Sequence, residues 1–151
     1  MHLQFAFQFN LDGVLQYRRQ VLDGCQGEYA QALDRVHRQE ARKADAEARY
    51  RQWNREFREE AAAGITAADA LTFEGGLRAL EQEIARESQL LDEYRRSAEE
   101  VRQRMMQAHI DKAVLERLRE KKRQEYDQEA QKSQERFIDE LVSARRQGAA
   151  S

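Results

Sequence analysis

The chain has 151 residues, 36% of them charged and 8% aromatic, with no proline and a formal net charge of −2; its mean hydropathy is −0.97. Dense charge with little net excess, together with periodic apolar residues, argues against a disordered polyelectrolyte. It points to long coiled-coil helices in one elongated domain, whose narrow seam forms no deep catalytic pocket. The 26 basic and 28 acidic residues are interleaved, which leaves no basic stripe for nucleic acid or an anionic membrane surface.

No apolar run is long enough to span a bilayer and no secretory signal pattern opens the chain, so no direct membrane insertion is expected. Cys25 is the single cysteine and closes no internal disulfide, which fits a reducing compartment.

In chain order, residues 1–10 form a flank in which Phe5, Phe7 and Phe9 alternate with polar or small residues. A period of two puts three rings on one face of an extended segment. Such a flank either folds back on the nearest helix or docks as an aromatic arm on a partner. Asn10 is suited to cap the first helix.

Residues 11–61 read as that helix. Leu15, Leu22, Tyr29, Val36, Lys43, Tyr50 and Phe57 recur every seven residues, with Leu11, Arg18, Cys25, Ala32, Gln39, Ala46 and Trp53 as the companion series. This is an a/d seam with weak places at Arg18 and at Gln39 to Lys43. A turn at 62–66 follows, with Gly64 suited to the left-handed C-terminal position and Thr66 to the next N-cap.

The second helix, 67–146, carries Phe73, Leu80, Glu87, Tyr94, Val101, Ala108 and Leu115 beside Leu77, Ile84, Leu91, Ala98, Met105 and Lys112. Gly75 and Gly76 dent its first turns and predict local mobility. Residues 147–151 are expected to be a disordered tail. The fold class is therefore all-α, a long antiparallel two-helix coiled-coil hairpin.

Its register follows from the seams. If facing residue numbers sum to 130, Lys43 meets Glu87, Leu22 meets Ala108 and Phe57 meets Phe73, whereas a one-heptad slip buries each charge without a partner. Lys43 and Glu87 are thus the predicted register keys. In this register residues from Glu120 to about Arg146 overhang the first helix by roughly 40 Å. There the apolar pattern thins: after Leu115 and Leu118 come only Tyr126 and then Phe137, Ile138 and Leu141. A helix charged nearly all round cannot bury itself, so the overhang, with the aromatic flank at its base, reads as a docking probe for another protein.

Catalytic constellations are not evident. His2, His37 and His109 are far apart, and no phosphate loop, nucleophile elbow or metal-ligand spacing occurs. Neither a metal nor a cofactor is expected, and the chain reads as a non-enzyme.

The opening Phe5-Ala6-Phe7-Gln8-Phe9-Asn10-Leu11-Asp12-Gly13-Val14-Leu15, the helical hairpin, and the closing Leu115-Glu116-Arg117-Leu118-Arg119-Glu120-Lys121-Lys122 with Tyr126 and Phe137-Ile138-Asp139-Glu140 resemble the FliJ family of the bacterial flagellar type III export apparatus. The resemblance implies a cytoplasmic stalk and general chaperone, peripherally associated with the membrane-bound machine. It implies three partners: the hexameric export ATPase, the cytoplasmic domain of the membrane export gate, and export chaperones. Weak self-association is allowed by this reading.

Carried over, Phe5, Phe7 and Phe9 of the flank would meet the ATPase together with Leu118, Arg119, Lys121, Lys122, Arg123 and Tyr126. Phe137, Asp139 and Glu140 farther along the helix would join them. Phe73, Leu77, Leu80 and Ile84, an aromatic-x3-aliphatic cluster, would contact the gate. The chain departs from the family pattern in Gly24, Gly27, Gly75 and Gly76. A virulence-type secretion stalk, a free coiled-coil chaperone and a structural scaffold without an ATPase partner remain open alternatives.

Overall fold

A computed structural model describes residues 6–150; Phe5, His2 and Ser151 lie outside the described residues. It is all-α, a hairpin of two long helices, Asp12–Ala63 (α1, 52 residues) and Ala67–Ala150 (α2, 84 residues). Good helix formers and the absence of proline account for such lengths. The turn matches its predicted chemistry. Gly64 has φ 94°, and its N–H donates to Ala61 O at 3.3 Å, which ends α1 in a left-handed residue open chiefly to glycine. Thr66 then caps α2, its Oγ1 accepting from Asp69 N at 3.1 Å and its carbonyl from Ala70 N at 3.0 Å.

The start of α1 differs from expectation. Asp12 N–H donates to Phe9 O at 3.0 Å, and Leu15 N–H to Leu11 O at 2.8 Å. The cap position is therefore Leu11 rather than Asn10. The end differs as well, since α2 runs on to Ala150 through residues expected to form a tail.

Packing divides into two compact units. Of the described residues, one holds 6–22 together with 107–150; the other is Asp23–Met106. In Asp23–Met106 the predicted seam positions are the buried ones: Val36, Leu91 and Ala98 form the central cluster, with Ala32 and Tyr94 packed against it. Farther toward the turn, Phe73 lies against Trp53 (ring centroids 5.0 Å) and edge-on to Phe57 (5.2 Å). Trp53 Nε1 donates to Phe73 O at 2.9 Å. The indole can lie there only because residue 76 is glycine: a Cβ at Gly76 would fall 2.6 Å from Trp53 Cε2 and 2.9 Å from Cζ2. Helix α2 is continuous through Gly75 and Gly76, so this pair is no break, and its second member is a packing requirement.

The same unit revises the predicted register keys. Glu87 is engaged by Gln39, not by Lys43: Gln39, only 2% exposed, donates through its amide Nε2 to Glu87 O at 3.0 Å and to its carboxylate Oε2. Lys43 Nζ instead reaches Glu47 on its own helix, at 3.9 Å. A lysine has a long stem that carries its charge to water, whereas a glutamine amide can remain in the seam if both donor and acceptor find partners. The facing pairs still centre near 130, as Phe57 with Phe73 and Tyr50 with Glu81 illustrate.

On the outer edge of this unit Arg49 forks onto Glu83, with Nη1 to Oε2 at 3.1 Å, while its Nε takes Asp45 at 3.0 Å. These bonds raise the Arg49 pKa and hold the Glu83 carboxyl below its ordinary value.

Candidate functional site

In the other unit, residues 12–22 of α1 pair with the stretch of α2 that begins at Gln107. Leu15, Leu22 and Ala108 are buried. Arg18 meets Asp111 at 3.5 Å, Arg19 meets Glu116 at 3.6 Å, and Arg119 Nε donates to Asp12 Oδ1 at 3.1 Å. Asp12 opens α1, so among the described residues no helix faces α2 beyond Arg119. Every residue from Glu120 to Ala149 is exposed.

The flank closes the base of that free helix. Alternation holds over its described part: Phe9 is buried and Phe7 half-buried, while Ala6, Gln8 and Asn10 face solvent. The Phe7 ring sits 5.8 Å from the Tyr126 ring, tilted by 58°. The guanidinium carbons of Arg119 and Arg123 lie 5.4 and 5.1 Å from its centroid. Arginines four apart on a helix share a face, which is how one ring meets both, and each contact is a cation–π interaction. The flank thus folds back on α2, the first of its two sequence-level alternatives. Between flank and helix runs a groove of about 430 Å³, bordered by Phe7, Gln8, Phe9, Asn10, Leu11, Leu118, Lys122 and Tyr126.

Seven of the twelve residues assigned from sequence to an ATPase surface therefore lie in or beside this groove: Phe7, Phe9, Leu118, Arg119, Lys122, Arg123 and Tyr126. Lys121 lies exposed on the same turns of α2. Lys122 and Arg123 are engaged along their own helix, with Glu125 and Asp127, each at 3.5 Å. Phe137, Asp139 and Glu140 sit apart, farther along the free helix.

Around them is a stripe that the assignment took in only through Phe137. Phe137, Ile138, Leu141 and Val142 are all strongly exposed, and Ile138, Leu141, Val142, Ala144 and Arg145 line a shallow hollow. Their i, i+3, i+4 spacing was the available signal. The predicted gate cluster is placed differently. Phe73 is buried under Trp53 and Phe57, and Leu77, Leu80 and Ile84 are half-buried seam residues; the exposed apolar side chain of that stretch is Leu71.

Among the described residues no group of His, Cys, Asp or Glu could hold a metal ion, and no helix is long and apolar enough to cross a membrane. No curated protein and no solved structure matches the chain, and the family model described as Flagellar FliJ protein matches its residues 7–151.

Proposed function

The chain belongs to the flagellar FliJ protein family, and from that premise we propose that it serves flagellar protein export as a central stalk of the hexameric export ATPase. The observation that carries the reading is the exposure of α2 from Glu120 to Ala149, beyond the start of α1. Those thirty residues would reach roughly 45 Å at helical rise. Beyond the seat of Phe7 on Tyr126 and Arg123, a helix of such mixed polarity gains little from its own sequence, so further contacts come from a partner.

A single asymmetric helix in a sixfold ring cannot touch all subunits alike. It favours particular subunit states and couples them to whatever the rest of the chain holds. Exchangeable polar side chains such as Lys121, Lys122, Asp139 and Glu140 suit a contact that is remade as the ring cycles. The stretch around Leu77, Leu80 and Ile84, with Leu71 exposed beside it, is the surface proposed for the export gate, and Phe73 supports it from beneath. Export chaperones are the third partner class.

The test is the steady-state ATP hydrolysis rate of the same organism's export ATPase with the full chain and with a chain ending at Arg119. Stimulation by the full chain and none by the shortened one is expected. Equal rates with both would remove the free helix from the proposal.

A further inference from the structure

The base of the free helix holds an arrangement that specifies the chemistry of what docks there. Arg119 and Arg123 both lie against the Phe7 ring, at 5.4 and 5.1 Å. A guanidinium placed against a ring keeps its in-plane N–H donors for a carboxylate. Each arginine is also steadied through Nε, Arg119 by Asp12 at 3.1 Å and Arg123 by Asp127 at 3.5 Å. Among the described residues no hydrogen bond engages their Nη groups, which leaves those donors for a second acceptor. The adjoining groove presents Phe9, Leu11 and Leu118, with Lys122, paired to Glu125 at 3.5 Å, on its rim. Two oriented guanidiniums beside an apolar groove complement a segment that carries apolar side chains flanked by carboxylates.

We infer that this groove is a docking site for an acidic, apolar-anchored segment of a partner protein, and that Phe7 is a positioning residue that holds Arg119 and Arg123 ready for its carboxylates. The inference rests on the stalk reading for the partner's identity, but its chemistry can be tested separately. Without Phe7 the two side chains regain their rotamer freedom, and the ordering has to be supplied on binding.

The experiment uses the full chain, labelled with nitrogen-15, and follows the arginine Nε–H signals during titration with two short helical peptides. One has a Leu-Leu pair flanked by glutamates, and the other has glutamine at every glutamate. The glutamate peptide is expected to shift the Arg119 and Arg123 signals, with a response that fades as salt rises; the glutamine peptide should leave them in place. Phe7→Ala should weaken the glutamate peptide about tenfold, the cost of ordering two arginine side chains on binding. Phe7→Tyr should restore binding to within about twofold, since a phenol ring offers the same platform.

Equal binding of both peptides, no binding of either, or wild-type affinity in Phe7→Ala overturns the inference. ATPase stimulation by a chain that binds neither peptide leaves the stalk reading standing and removes this one. Peptide binding by a chain that leaves the ATPase unaffected does the reverse.

Discussion

Substituting the two adjacent glycines of α2 one at a time should move stability in opposite directions. An alanine in a helix interior is favoured over glycine by about 0.8–1.0 kcal/mol. At Gly75 nothing lies within 4 Å of the added methyl, so Gly75→Ala is expected to stabilise by close to that amount. At Gly76 the methyl would meet the Trp53 indole, with Cε2 at 2.6 Å and Cζ2 at 2.9 Å and Nε1 also in conflict. The indole must move, which costs about 1–3 kcal/mol of overpacking. Its bond to Phe73 O is lost with it, about 1 kcal/mol more. Set against the propensity gain, Gly76→Ala should destabilise by about 1–3 kcal/mol.

Urea unfolding followed by circular dichroism reads both variants. Trp53 is the only tryptophan, so its fluorescence reports the displaced ring directly. Adding Trp53→Phe should relieve much of the Gly76→Ala penalty, giving a coupling of about 1 kcal/mol or more in a double-mutant cycle. Equal stabilisation by both alanines, with unchanged emission, would refute the close approach.

Gln39→Ala should cost about 1–3 kcal/mol, since it leaves the Glu87 carboxylate and carbonyl without their seam partner; the same unfolding assay measures it, and a loss under about 0.5 kcal/mol would contradict that role. The Arg49–Glu83 pair predicts an acid effect. Because Arg49 holds the Glu83 carboxyl low, the contribution is complete above the unfolded-state value of about 4.3 and disappears as pH falls through the lower folded-state value. The difference in melting temperature between wild type and Glu83→Gln should therefore shrink between about pH 5 and about pH 2 and also shrink with added salt. A difference constant over that range would assign the effect to something other than this ion pair.

The seam was readable because heptad spacing is geometry: Leu15, Leu22, Val36, Leu91, Ala98 and Ala108 sit at the predicted positions and are buried. Gly64 and Thr66 were readable because a left-handed residue and an N-cap admit few side chains. What escaped depends on contacts that spacing does not encode. Gln39 looked like a weak place in the seam, and only its two bonds to Glu87 make it a polar layer. Gly76 looked like a helix defect, because nothing local reveals an indole arriving from residue 53. Asn10 had a capping side chain, but the turn closed by Phe9 O moved the cap by one residue. At the proposed docking surface, alternation gave the aromatic flank but not its seat. That came from pairing it with two arginines four residues apart on the other helix.

The sequence distances spanned by these contacts have a kinetic consequence. Trp53 and Phe73 are 20 residues apart, whereas Asp12 and Arg119 are 107 apart. As a first contact, the longer closure is disfavoured by about 1.5 kcal/mol of additional chain entropy. We therefore expect the hairpin to zip from its turn, with the aromatic flank seated last. Pulsed amide labelling during refolding would find protection around Leu15 lagging behind protection around Trp53; simultaneous protection would contradict the zipper. In such an order, the end that presents Phe7 and its two arginines is also the first to fray. A partner that binds it would act late in maturation, completing the last part of the fold.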